Sequence, residues 1–452
     1  MTSIIKESTN LINLLDLQRV NPRRYPHFLQ STAHGHYDIL FACPGESLQL
    51  LSDGSLILPD GISSTSGDFL QDMDAWWRAT PAAEVDSELL FSGGWFIYLG
   101  YELSGQVEPT LQLLHSDPLL PVAFATRFAT AIIHDHENDY VFIVGEPGTE
   151  AAIKIIKADI DSLPQAGMPV KYEIKAVDVA EEAGERYLKS VERIKNYIVE
   201  GDVFQVNLSR AWEIRLSSPA DTAALYASLG YHNPAPFSGI AHWNEIAIIS
   251  SSPERLVSVR NGRVETRPIA GTRPRSREVE QDEAYSAELL AHPKERAEHI
   301  MLIDLERNDL GRICVPGSIE VNELMGLESY AHVHHIVSNV RGELRAGVTP
   351  GEVIRAVFPG GTITGCPKVR CMEIIAELEQ AARGAYTGSM GYLNRDGSMD
   401  LNILIRTMVC RGDRLTLRAG AGIVADSVAE AELQETRAKA RGLLRSLGIE
   451  QS

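Results

Sequence analysis

Two stretches far apart in the chain, Lys294-Glu295-Arg296-Ala297-Glu298-His299 and Glu432-Leu433-Gln434-Glu435-Thr436, each carry two glutamates three residues apart within a helical apolar pattern. On a helix, positions three apart lie on one face, so each stretch presents a paired acidic patch. Hard divalent cations take oxygen ligands, and Mg2+ in particular is held by one or two carboxylates while substrate and water complete its shell. The two patches are therefore candidates to grip one cation between them. Acidic pairs on helices are also ordinary solvated surface, so the weight falls on the motifs around them.

Those motifs lie after Gly201. The run Pro359-Gly360-Gly361-Thr362-Ile363-Thr364-Gly365-Cys366-Pro367-Lys368 reads as a glycine-rich turn, with Pro367 at the first position of a helix whose exposed amides would attract an anion. It lacks the Gly-Lys-Ser/Thr ending of a Walker loop. A second glycine turn, Ala419-Gly420-Ala421-Gly422, follows a strand-like run and offers amides to a carboxylate. Arg406, in the apolar run Ile403-Leu404-Ile405-Arg406-Thr407, either faces solvent on an alternating strand or pairs with a buried carboxylate, for which its planar fork is suited.

These features must be positioned by a sizeable body. The chain has 452 residues, 44% of them hydrophobic, enough for a substantial core. Its 61 acidic and 42 basic residues give a formal charge of −19, which argues against a nucleic-acid or anionic-membrane surface. An anionic ligand must then be met by local positive groups. No apolar run approaches the roughly 18 residues of a membrane span, and the start of the chain lacks a long apolar core, so a cytoplasmic protein is expected. Five scattered cysteines without CxxC spacing support neither a disulfide framework nor a zinc site.

The first part reads as short strands, Tyr37 to Cys43, Ser55 to Leu58, Gly94 to Tyr98, Val122 to His134 and Tyr140 to Gly145. Ala151 to Tyr172 is a plausible boundary, and a helix is expected across Glu181 to Glu200, stopped by Gly201. Beyond it, strand-like runs (Val203 to Ile214, Ile246 to Ser251, Arg255 to Val259, Val264 to Pro268, Gly391 to Leu393, Leu401 to Cys410, Arg414 to Ala419) alternate with helices at Asp282 to Asp304, Val369 to Ala382 and Ser427 to Leu444. A mixed α/β (α+β) architecture follows.

Several segments together resemble the chorismate-binding enzyme superfamily: Gly201-Asp202-Val203-Phe204-Gln205-Val206-Asn207-Leu208-Ser209, Ser252-Pro253-Glu254-Arg255, Thr266-Arg267-Pro268-Ile269-Ala270-Gly271-Thr272-Arg273, Asp304-Leu305-Glu306-Arg307-Asn308-Asp309-Leu310-Gly311-Arg312 and Gly422-Ile423-Val424-Ala425-Asp426-Ser427. Gly93-Gly94-Trp95 through Gly100-Tyr101-Glu102 also resembles the N-terminal region of the aminating branch. The resemblance implies β-sheets packed face to face with helices outside. It further implies an anthranilate-synthase-component-I-like region over 1–165 and a chorismate-binding catalytic domain over 186–445.

Chorismate is a dianion with a hydroxyl that must leave. By resemblance, Glu298 and Glu435 hold Mg2+, with Glu295 and Glu432 in support. Arg406, Tyr386 and the Gly420, Ala421 and Gly422 amides receive the enolpyruvyl carboxylate, and Lys439 adds positive charge near the metal end. Glu254 is the expected general acid, a role that needs a raised pKa in a closed site. Thr272 and His335 fall among the catalytic side chains, Thr362 with His335 lines the ring, and His334 is structural.

Gln205 stands where hydrating members carry a lysine base, which favours amination. Two aminating branches remain: aminodeoxychorismate synthase component I, acting at C4 toward para-aminobenzoate and folate, and anthranilate synthase component I, acting at C2 with loss of pyruvate. Ala270 occupies the position of the nucleophilic lysine of the first branch and, with Tyr386, matches the second. Gly360 to Lys368, the doublet His334-His335 and Gly388-Ser389-Met390-Gly391-Tyr392-Leu393 match the first. C4 amination is therefore the expectation, with C2 amination or a bifunctional enzyme as the alternative and a non-catalytic chorismate-binding relative as a distant one. No Gly-x-Cys-x-Gly glutaminase signature is present, so ammonia is expected from a separate glutamine amidotransferase subunit.

Overall fold

The computed structural model describes residues 5–9, 12–31, 37–60, 64, 66–80, 89–114, 117–164, 174–276, 278–329 and 333–450. Every strand pairing among them is antiparallel, and the pairings link all 21 strands into one continuous hydrogen-bonded set. A sheet this large must fold back on itself to bury its apolar faces. One core cluster is built almost wholly from strands, with Phe96, Tyr98, Phe124 and Ile133 packed against Ile246, Ile248 and Met390. Helices cover the outside: Gly184–Glu200, Lys368–Glu379 and Ala429–Ser446 lay Val191, Ile374 and Leu433 over Val206, Ala421 and Ile423. The expected layering of facing sheets with outer helices is thus present.

Strands from the first part pair with strands from the second. His27–Gln30 runs against Phe237–Trp243, and Gly94–Leu99 against Ser389–Asn394. The stretch Ala151 to Tyr172 opens as the helix Glu150–Ser162, while 165–173 lie outside the described residues.

Two expected elements are divided. The run Asp282 to Asp304 is two helices, Val279–Ala291 and Pro293–Gly311, because Pro293 ends one helix and begins the next, where the His292 side chain accepts a hydrogen bond from the Glu295 amide. The run Leu401 to Cys410 is two strands, Met399–Asn402 and Thr407–Arg411, separated at Arg406, whose φ of 51° is left-handed. Arg406 is therefore not on an alternating strand. All five cysteines are free, and no helix among the described residues is long and apolar enough to cross a membrane.

Candidate active site

A cavity of about 700 Å³ opens between the helices Pro293–Gly311 and Ala429–Ser446 and the ends of several strands. Its wall includes the strand Arg414–Ile423, paired with Gln205–Leu216 so that Gly420 faces Ser209 and Gly422 faces Asn207. The backbone requires glycine at Gly420, where a Cβ would lie 2.7 Å from the Leu208 carbonyl, while at Gly422 only the Gln205 side chain fills the space. A Cβ on Gly420 would lie 2.8 Å from the Tyr386 hydroxyl and 2.9 Å from Asn207 Oδ1, and one on Gly422 would lie 2.4 Å from Gln205 Nε2. The two glycines leave room for polar groups to stand against the strand. Side chains alternate along a strand, so the Ala421 methyl points the other way, into the core with Val206 and Leu433, and Ala421 does not line the cavity.

Glu254 follows the strand Ile246–Ser252 and is 5% exposed. Its amide bonds the Ser252 hydroxyl at 3.2 Å, its carbonyl accepts from the Ile403 amide at 3.0 Å, and Oε1 has no hydrogen-bond partner. Burial raises its pKa to about 7 against the opposing influence of Thr362, the Ile269 amide, Lys439 and Arg406. Gln205 Oε1, Asn207 Oδ1 and Thr362 Oγ1 are likewise buried without partners beside the same cavity. Buried polar atoms need partners, and four such atoms around one space are what a polar ligand would satisfy.

Arg406 reaches the cavity from its left-handed bend, with Nη1 3.4 Å from Asn233 Oδ1. Burial lowers its pKa while Glu254 opposes the shift. The His335 ring, on the strand Val333–Glu343, has its pKa lowered to about 3 by burial and by Arg406, and is therefore neutral near pH 7. His334 next to it points elsewhere, to Asp282 at 3.0 Å and the Ser329 hydroxyl at 2.8 Å. Ala270 lines the cavity with its methyl group, and Gly271 beside it has φ +71° and lies where a Cβ would meet Glu295 Oε2 at 2.9 Å. The backbone of Thr272 pairs with His335, while its side chain lies outside the described residues.

Glu295, Glu298, Glu432 and Glu435 all line this cavity, the first two from Pro293–Gly311 and the others from Ala429–Ser446. His299, buried and bonded through Nε2 to the Ser338 hydroxyl at 2.6 Å, fixes the turn that presents Glu298. Arg273 Nη1 lies 3.2 Å from Glu295 Oε1, and Lys439 Nζ lies 2.8 Å from Glu435 Oε1 and 3.0 Å from the Gly420 carbonyl. Four carboxylates from two facing helices make a hard oxygen donor set, which fits Mg2+ better than a softer metal. Their oxygens are not gathered to one point: the only trio of ligand atoms within 4.8 Å among the described residues is elsewhere, at Asp38, His134 and His136.

The glycine-rich loop contributes Thr362 and Ile363 to the cavity, but the helix start expected to hold an anion does not line it. There Lys368 Nζ lies 2.5 Å from the buried Asp309, so the charge at that helix start is already paired.

Sequence reasoning passed over much of the positive charge. Arg273, Arg418, Arg441 and Arg445 line the cavity with Arg406 and Lys439. Arg441 and Arg445 lie four residues apart on the helix that carries Glu435, a signal that was available. Arg418 had none, because its position depends on Glu379, which it meets at 3.0 Å. Glu379 also bonds Arg383 at 2.7 Å and the Ser209 amide and hydroxyl at 2.8 Å each. Burial pushes the Glu379 carboxyl up, but Arg383 and Arg418 outweigh it and hold the carboxyl below its usual pKa. Glu102, from the first part, accepts bonds from the amides of Arg383 at 2.8 Å and Gly384 at 3.0 Å, and so braces the turn that carries Tyr386.

The family model described as chorismate binding enzyme matches residues 36–445. The chain belongs to the chorismate-binding enzyme family. It is 38% identical over 438 residues to aminodeoxychorismate synthase component 1 of Bacillus subtilis, covering 94% of this chain and 92% of that protein. It is 39% identical over 407 residues to anthranilate synthase component 1 of Thermus thermophilus, covering 86% of each. Among solved structures it is similar to anthranilate synthase component I from Streptococcus pneumoniae, with a TM-score of 0.79 and 32% identity over 91% of this chain and 92% of that one. Membership in this family makes the chain an enzyme acting on chorismate and accounts for a cavity that mixes carboxylates with arginines.

Proposed function

We propose that the chain aminates chorismate at C4, as aminodeoxychorismate synthase component I, with ammonia delivered by a separate glutamine amidotransferase subunit in the cytoplasm. The observation that carries this reading is a protonatable Glu254 in a cavity where Gln205, not a basic lysine, stands at the position that activates water in hydrating relatives. Mg2+ held by Glu298 and Glu435, with Glu295 and Glu432 behind them, would neutralise the ring carboxylate. Arg406 and Tyr386, beside the Gly420 and Gly422 strand, are suited to the enolpyruvyl carboxylate, and neutral His335 with Thr362 to the ring.

Glu254 gives its proton to the departing hydroxyl, so the C–O bond breaks to release water rather than hydroxide. Ala270 offers no nucleophile, and ammonia itself forms the new C–N bond. The proton that the attacking nitrogen then loses restores the Glu254 carboxyl. The match to the Bacillus subtilis protein over 94% of the chain supports C4. Ala270 is the observation that favours C2 amination, the anthranilate synthase reading, and a relative with that name is 39% identical.

The deciding experiment incubates purified protein with chorismate, Mg2+ and ammonium, then adds a lyase that aromatises aminodeoxychorismate. Para-aminobenzoate formed only after the lyase is the expected result. Anthranilate fluorescence and pyruvate before lyase addition would reverse the assignment to C2.

A further inference from the structure

The strand Ala123–Asp135 runs antiparallel to Tyr37–Leu50, with His134 directly opposite Asp38. Residues directly opposed on a ladder share a face, so Asp38 and His134 do, and His136, in the turn just past the strand, brings its ring to 4.1 Å from that of His134. The ligand atoms of Asp38, His134 and His136 lie within 4.8 Å of one another. This group is separate from the cavity, none of whose lining residues belongs to it.

The carboxylate is built into the fold. Asp38 is 3% exposed, and its Oδ2 accepts from Gln30 Nε2 at 2.9 Å and its Oδ1 from the Ser31 amide at 3.2 Å. Gln30 is held in turn by the Tyr226 hydroxyl at 3.2 Å. On the other side, His136 Nε2 lies 3.0 Å from Asp38 Oδ1. His134 Nε2 is buried with no hydrogen-bond partner, 3.7 Å from an oxygen of the exposed Asp139. A buried imidazole nitrogen without a partner, beside a carboxylate fixed by outer hydrogen bonds, has the form of a metal ligand and its supporting shell.

We propose that Asp38, His134 and His136 bind a divalent transition metal, with Zn2+ the best fit. Two imidazoles and one carboxylate are borderline donors, which Zn2+ accepts and Mg2+ does not favour. Three protein ligands leave a fourth position for water or for Asp139. A tetrahedral shell with ligands at about 2.0–2.1 Å sets donors roughly 3.4 Å apart, so a small rotation of the two rings completes the site. The metal would tie the two strands together and stabilise this sheet.

Chelator-stripped full-length protein, kept in excess Mg2+, is titrated with Zn2+ against a chromophoric chelator, and with Co2+ while visible d–d absorption is followed. His134→Ala and His136→Ala should each weaken one Zn2+ equivalent by about a hundredfold and remove the Co2+ bands, and Gln30→Ala should weaken it about tenfold. Because the His136 side chain is 36% exposed, His136→Ala should retain wild-type turnover of chorismate with Mg2+, which serves as the folding control. Equal Zn2+ affinity in wild type and both histidine variants, or no Zn2+ equivalent in wild type, overturns the proposal.

Discussion

Replacing Glu254 with glutamine keeps the shape and removes the proton. The folded carboxyl has a pKa of about 7 against 4.5 for the ordinary side chain, a gap set by its burial. At 1.36 kcal/mol per unit, and with a side chain too buried for solvent to discount it, that gap corresponds to on the order of 3 kcal/mol. Between pH 4.5 and 7 the folded chain holds a proton that the unfolded chain has released, so stability falls as pH rises through this window and the loss is complete above it. The glutamine variant lacks this component. Its stability relative to wild type should therefore rise by about 3 kcal/mol from pH 4.5 to pH 8, measured by urea unfolding at several pH values. Glu102, also raised by burial, contributes equally to both proteins and cancels in the difference, whereas the Glu306 carboxyl, raised first by burial and in part by the Glu254 charge, is raised less in the variant. In turnover, wild-type kcat/KM should decline above pH about 7 as the proton is lost, while the variant should be about 10²–10⁴-fold slower and lack that alkaline limb. Near-wild-type turnover in the variant, or a stability difference that does not change with pH, would refute the assignment of Glu254 as acid.

Glu435→Gln should abolish Mg2+-dependent consumption of chorismate while changing stability by less than about 0.5 kcal/mol, since Glu435 is exposed and its ion pair with Lys439 is an ordinary helical one; circular dichroism and a chorismate absorbance assay test both halves, and retained turnover would remove it from the metal site. Glu379→Ala should lower stability by about 3–5 kcal/mol in urea, because Arg383 and Arg418 would be left as uncompensated buried charge. Gly420→Ala should raise KM for chorismate about tenfold or more, as its Cβ would press on the Tyr386 hydroxyl and on the Leu208 carbonyl at 2.7 Å; an unchanged KM would show that this strand does not contact substrate.

The glutamate pairs were legible because helix geometry turns a spacing of three into a shared face, and Pro293 merely moved the helix boundary without disturbing it. The segment 419–422 was legible as a place of close approach but not as a strand: its glycines read as a turn, whereas the structure keeps all four residues paired within Arg414–Ile423, where small residues let polar groups stand against the ladder. The bend at Arg406 was not, since a non-glycine residue in the left-handed region leaves no local trace. The helix Thr222–His232 was also overlooked, because Ala223, Leu225, Tyr226 and Leu229 are buried around much of its circumference and erase the amphipathic period. Arg418 and Glu102 depend on partners far away in sequence, and no reading of neighbours along the chain reaches them.

The ladder between Gly94–Leu99 and Ser389–Asn394 joins positions about three hundred residues apart. During synthesis the earlier strand can pair at once with Ala123–Asp135 on one side, while its other edge waits until nearly the whole polypeptide has emerged from the ribosome. For that interval a row of unpaired amides and carbonyls beside Trp95, Ile97 and Leu99 offers a template to any extended strand nearby. Nascent chains stalled before residue 389 should therefore be the aggregation-prone species, and yield in the cell should depend on how quickly this final seam is closed.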